Sequence, residues 1–203
     1  FGFLKNYGIS QVKTSVVQNV NEALKAAASI GYPIVLKTAK TTGLEKDNII
    51  QNIDSDDGMK RAYTKLIEAF RASHPGSEPP GLIVQKMLDR IDHEWLLQSK
   101  KDAEFGSTIF FGKHLKEKGM PVKFAAALPP LNRTLAKCLL EESEIEKIIK
   151  EDSEHSSDCL RRLEEMIVGF SNIIIDFPEI AKMELGPLAI VDDNAYCLNI
   201  KIT

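Results

Sequence analysis

The sequence contains no apolar run approaching the roughly 18 to 20 residues that a membrane-spanning helix needs. Phe124 to Leu131 is short and interrupted by Pro129 and Pro130. A cleavable-signal pattern of basic start, apolar stretch and small-residue site is missing at the N-terminus. Cysteine is scarce: Cys138, Cys159 and Cys197 are three in number and widely spaced, which excludes a disulfide framework and a CxxC metal knuckle and makes a reducing cytoplasm the expected compartment. The four histidines, His74, His93, His114 and His155, show no metal-ligand spacing. No GxSxG, GxxxxGK[ST] or GxGxxG string is present. Basic surplus is absent too: 26 Lys+Arg stand against 29 Asp+Glu, a net charge of -3, which argues against a nucleic-acid-binding domain. What remains is a 203-residue water-soluble chain with 43% hydrophobic residues, long enough for one large domain or two small ones. It begins with Phe1 rather than Met, which predicts a piece of something longer.

Helix and strand signals alternate along the chain. Phe1 to Tyr7 reads as a short helix stopped by Gly8, and an extended segment follows around Val12 to Val17. Asn19 and Asn21 are candidate N-caps for an alanine-rich helix that Gly31 closes, after which Ile34 to Lys37 reads as a strand. A polar loop covers residues 38 to 47, and Asn48 to Ile53 resumes as a strand. Ser55-Asp56-Asp57 caps a helix with its apolar stripe at Met59, Ala62, Tyr63, Leu66, Ile67 and Phe70. Beyond the proline-rich loop of residues 73 to 80, Gly81 to Met87 is a strand that His93 to Ser99 is expected to join as a hairpin. Ser107 to Phe111 and Val122 to Leu128 are further strands, Leu131 to Lys150 and Ser156 to Ile175 are helices, and two apolar runs around Asp192-Asp193-Asn194 predict a closing hairpin.

Few residues stand out for chemistry. Lys37, at the end of an apolar strand, can reach a phosphate from a rigid base; an edge lysine in water is the plainer account. Gly112-Lys113-His114 with Lys116 and Lys118 reads as a solvated basic loop, since it lacks the glycine run that lets backbone N–H groups close around an anion. Glu94, beside Trp95, offers a carboxylate to ribose hydroxyls or to solvent. Glu184 and Asn199 lie in the terminal hairpin, where oxygen ligands for Mg²⁺ could converge. Composition and periodicity alone thus reach a soluble α/β or α+β domain, open to a nucleotide-binding role.

Several strings, in order and over nearly the whole chain, resemble the ATP-grasp domain of ADP-forming acyl-CoA synthetases, relatives of the succinyl-CoA synthetase β chain. They are Leu4-Lys5-Asn6-Tyr7-Gly8-Ile9, Ala28 to Lys37, Gly81 to Met87, Lys101 to Gly106, Phe111-Gly112, Leu128 to Leu131, Asp176 to Ile180 and Glu184-Leu185-Gly186-Pro187-Leu188. The resemblance implies an α+β ATP-grasp fold of two subdomains with mainly antiparallel sheets, residues 1–87 and 88–203, gripping ATP between their sheets. It implies Lys37 on phosphate, the backbone of Gln85, Lys86 and Met87 on adenine, Glu94 on ribose, and Asn199 at one of two Mg²⁺ positions, beside which Glu184 is the candidate ligand read from the hairpin itself. It also implies CoA-binding and ligase domains as partners, in the same chain or in another subunit, and a phosphohistidine step linking ATP cleavage to thioester formation.

Departures from that pattern accompany the matches. Where the family carries a histidine loop this chain has Thr42-Gly43-Leu44, and Asp47-Asn48 replaces a Gly-Gly pair, trading exposed N–H groups for a carboxylate that repels triphosphate. The later Gly-rich segment becomes Lys113 to Glu117, and its downstream Glu and Asp fall on Gly119 and Lys123. At the metal positions Gly186 stands for Asn and Asn199 for Asp, with Glu184, Asp192 or Asp193 as neighbouring substitutes. Two functional readings follow: an acid–thiol ligase domain that uses ATP, and a catalytically degenerate module that regulates or assembles a larger CoA-ligase-like protein.

Overall fold

The computed structural model describes residues 2–39, 48–88, 91, 94–113, 124–151, 157–191 and 193–203. Residues 40–47, with Thr42-Gly43-Leu44 and Asp47, residues 114–123 and Asp192 lie outside the described residues. The chain forms two compact units, Val12–Asp89 and the combination of Phe1–Gln11 with Arg90–Thr203.

The smaller unit is an antiparallel sheet with two helices. Its strands β1 (Thr14–Val17), β2 (Ile34–Thr38), β3 (Ile49–Ile53) and β4 (Leu82–Lys86) lie in the order β1-β4-β2-β3, and its helices are α2 (Val20–Ile30) and α3 (Asp56–Ser73), α1 (Gly2–Asn6) belonging to the other unit. Both helices start as the sequence predicts. Asn19 accepts from the Glu22 amide at 2.9 Å while the Glu22 carboxylate accepts from the Gln18 amide at 2.8 Å, a reciprocal cap. Ser55 accepts from the Gly58 amide. Gly31, at φ 86, ends α2, a backbone state that favours glycine. Alternation along the strands then sorts the side chains. Ile34, Leu36, Leu82 and Val84 pack with Ala23, Ala27, Met59, Ala62 and Leu66 against the helices, and Val35, Lys37, Ile83 and Gln85 take the opposite face.

In the larger unit, β5 (Glu94–Asp102), β6 (Gly106–Lys113), β7 (Phe124–Ala127), β8 (Lys182–Val191) and β10 (Ile200–Ile202) form a sheet in the order β10-β8-β5-β6-β7, with β9 (Asn194–Cys197) also paired to β8. All these pairs are antiparallel. Trp95, Leu97, Ile109, Phe111, Met183 and Leu185 point to the core filled by α1 (Gly2–Asn6), α4 (Arg133–Glu142), α5 (Ile145–Glu151) and α6 (Ser157–Asp176). Trp95 stacks on Phe111 with ring centroids 5.6 Å apart. Among the described residues no helix is long and apolar enough to cross a membrane. Two mainly antiparallel sheets with packed helices make the chain α+β, as expected.

Three expectations are corrected. The opening residues do not belong with the unit that follows them: Leu4 and Ile9 are buried in the larger unit's core, the Cys197 amide donates to the Ser10 carbonyl at 2.9 Å, and Gln11 bridges Cys197. The expected hairpin of Gly81–Met87 with His93–Ser99 is also absent. Strand β4 pairs β1 and β2, whereas β5 pairs β6 and β8 in the other sheet, so the intervening residues link two sheets. Finally, the helix expected over Leu131 to Lys150 divides at Ser143-Glu144. The Ser143 hydroxyl donates to the Leu140 carbonyl at 2.7 Å and accepts from the Ile145 amide, competing with the helix ladder, and Glu144 turns left-handed at φ 65.

Candidate functional site

The candidate residues divide between the two units, and within each unit strand alternation decides which of them share a face. Lys37 and Gln85 are on the helix-free face of the smaller sheet, on neighbouring strands, and both are buried, 8% and 7% exposed. The Gln85 amide group donates to the Thr14 hydroxyl at 3.2 Å. Lys86 points the other way: its ammonium donates to the carbonyls of Gly31 and Tyr32 at 3.2 and 3.0 Å, where it neutralises the C-terminal end of α2. Its amide donates to Lys13 and that of Met87 to Pro33. These two amides serve the fold, and the first one beyond them belongs to Leu88. Next to Lys37, the Thr38 hydroxyl is buried on the helix side with no hydrogen-bond partner among the described residues.

In the larger unit Glu94 opens β5 opposite Ala189, half-buried on the face away from the helices. Glu184 shares that face, in a row of Gln98, Glu184 and Lys201 across β5, β8 and β10. Between the two rows the register shifts, because Gly186-Pro187 stands opposite Leu96 alone, a bulge that re-aims β8. Asn199 follows β9. Its carbonyl accepts from the Gly186 amide at 2.9 Å and from the Cys197 thiol at 3.0 Å.

The described residues at the expected Mg²⁺ position do not fit a divalent ion. Magnesium asks for six oxygens near ~2.1 Å in octahedral array, with carboxylates among them. Here Glu184 is ion-paired to Lys182 at 3.1 Å, Asn199 offers a neutral side chain, and Gly186 offers none. Among the described residues no group of three or more His, Cys, Asp or Glu is placed to hold a metal. Lys182 and Lys201 carry no motif in the sequence; alternation is the one signal, and it puts Lys182 on the face of Glu184.

A surface groove of about 720 Å³ runs elsewhere on the larger unit, lined by Tyr7, Pro130, Arg133, Val168, Asn172 and Asp176 among others, and none of the candidate residues contributes to it.

Comparison with known proteins bears on what these faces serve. Over 202 residues the chain is 25% identical to acetate–CoA ligase (ADP-forming) I of Archaeoglobus fulgidus, covering 98% of this chain and 29% of that protein. It is 24% identical over 211 residues to the β subunit of acetate–CoA ligase (ADP-forming) I of Pyrococcus furiosus, covering 98% of this chain and 87% of that subunit. The chain thus spans under a third of the single-chain ligase and most of the separate subunit. In fold it matches the dinucleotide-forming acetyl-coenzyme A synthetase 1 of Ca. Korarchaeum cryptofilum, determined with coenzyme A and Ca-AMPCP, at a TM-score of 0.86 and 21% identity over 99% of this chain and 89% of that one. A family model described as an ATP-grasp domain matches residues 1–203, and the chain therefore belongs to the ATP-grasp family, in the company of the ADP-forming acyl-CoA ligases.

Proposed function

We propose that this chain is the nucleotide-binding domain of an ADP-forming acyl-CoA ligase system and binds ATP. Lys37 meets phosphate, the chain around Gln85 to Met87 meets adenine, and Glu94 meets ribose. With the amides of Lys86 and Met87 committed to Lys13 and Pro33, the adenine contact falls to carbonyl oxygens of this strand end or to the Leu88 amide. The partners in this reading are CoA-binding and ligase domains, on the same polypeptide or on another subunit, which supply the acyl and thiol chemistry.

The observation that carries the reading is the placement of Lys37. A lysine held almost wholly inside a sheet face, beside the buried amide of Gln85, has lost most of its side-chain freedom before any ligand arrives, so the ordering cost of binding an anion is already met. Calorimetric titration of the full chain with ATP tests it. Micromolar binding that weakens tenfold or more in Lys37→Ala and Lys37→Met, with unchanged circular dichroism, is the expected result. Absence of heat at high ATP concentration would sink it.

The Lys182–Glu184 ion pair favours a second reading, a degenerate module that keeps the scaffold for regulation or assembly and performs no phosphoryl transfer. Phosphoryl transfer rests on positioned metal and cationic groups, so a site whose described residues are poor in metal ligands retains binding more readily than turnover. ADP release in the presence of CoA, a carboxylic acid and candidate partner domains separates the two readings.

A further inference from the structure

The helix-free face of the larger sheet carries an uneven set of charges. Lys182 and Glu184 alternate to the same side of β8, since Met183 and Leu185 are buried in the core. Directly across β5, Lys100 stands opposite Lys182 and Gln98 opposite Glu184. Across β10, Lys201 stands opposite Glu184. Three lysines and one carboxylate therefore occupy neighbouring register positions on this face, and the carboxylate is bound to Lys182 at 3.1 Å, the pair being 44% and 24% exposed. Like charges directly opposed across strands are unfavourable. The Lys100/Lys182 opposition is relieved by a counter-anion, and a divalent cation placed among these lysines makes it worse.

We infer that this face binds its polyphosphate without a divalent cation, Lys182 and Lys201 supplying the positive charge that Mg²⁺ would otherwise bring. The inference rests on the nucleotide reading above. An ammonium paired with Glu184 occupies one coordination direction of that carboxylate, and the neighbouring Gly186 and Asn199 supply no second carboxylate to compensate. Magnesium then acts mainly on the ligand. By neutralising phosphate charge in solution it makes the nucleotide a poorer partner for three lysines.

The test is titration of the full chain with ATP in EDTA and again in excess MgCl₂, followed by circular dichroism of each variant. Affinity is expected to be about threefold or more higher in EDTA, to fall about tenfold in Lys182→Met under the same condition, and to rise in Glu184→Gln, which removes the competing carboxylate. Binding that is tenfold tighter with MgCl₂, or indifferent to Lys182→Met, overturns the inference while leaving the nucleotide reading in place. No binding in either condition overturns both.

Discussion

The terminal carbon Cδ1 of Leu96 lies 2.7 Å from the point where a β-carbon on Gly186 would stand, with the Trp95 carbonyl oxygen at 3.2 Å. The space that a ligand-bearing side chain at position 186 needs is therefore filled from the neighbouring strand. Gly186→Asn, which places a side-chain oxygen there, is expected to destabilise the chain by about 1–3 kcal/mol through overpacking. Leu96 is half-buried and has a flexible end, so the double variant Gly186→Asn/Leu96→Ala should be more stable than the two single effects summed, by about 1 kcal/mol. Urea unfolding of the four chains measures the coupling; strict additivity would show that Leu96 is not the obstacle.

Gly169 on α6 is a tighter case, because a β-carbon there would run into the backbone carbonyl of Tyr7, which has no flexible end to give way. Gly169→Ala should push the turn after α1 off the helix and cost about 2 kcal/mol or more, seen as a lowered urea midpoint. A midpoint equal to that of the parent would mean that the opening segment is not seated on α6.

The thiols should separate by accessibility and acidity. Cys138 is exposed, while Cys159 and Cys197 are buried. Burial chiefly, with the nearby Asp193 charge in addition, pushes the Cys159 thiol up to about 12. At pH 8 about one molecule in ten thousand then carries the Cys159 thiolate. Iodoacetamide followed by mass spectrometry should label Cys138 in the native chain, and Cys159 and Cys197 only after denaturation. Native labelling of Cys159 at the Cys138 rate would contradict its placement in the core.

Asp102 folds the β5–β6 turn by accepting from the amides of Glu104 and Phe105 at 2.8 and 3.1 Å. Those two bonds hold its pKa below the ordinary 3.8. A depressed folded-state pKa gives stability that is present above the unfolded value and is lost as pH falls through the folded one. Asp102→Ala should therefore unfold at lower temperature than the parent near neutrality, and the gap should narrow as pH falls below the ordinary carboxylate range. A gap independent of pH would assign the effect to shape and not to the charged acceptor.

What could be read from the sequence followed the range of the interactions involved. Caps at Asn19 and Ser55 and the stop at Gly31 were legible because each acts within one helical turn. The α+β class followed from the order of elements, and the family from strings spread along the chain. The β4–β5 hairpin was misread because neighbouring strands usually pair, whereas here the chain changes sheets between them. The Ser143-Glu144 break hid inside a good helical pattern, since a serine hydroxyl's choice between water and backbone is not visible in periodicity. At the candidate site, Glu184 was legible as a ligand type. That its carboxylate is held by Lys182 and faced by Lys201 depends on register, which only the paired strands establish.

The seating of Leu4 and Ile9 in the larger core has a topological consequence. The stretch Val12–Asp89 is an insertion, with its own core and its own sheet, set into a host whose first and last parts are far apart in sequence. The host cannot be completed until the insertion has been synthesised and passed, whereas the insertion needs nothing from either side to close its sheet. A shortened chain that starts near Val12 would keep every residue of the guest and still leave the host unfinished.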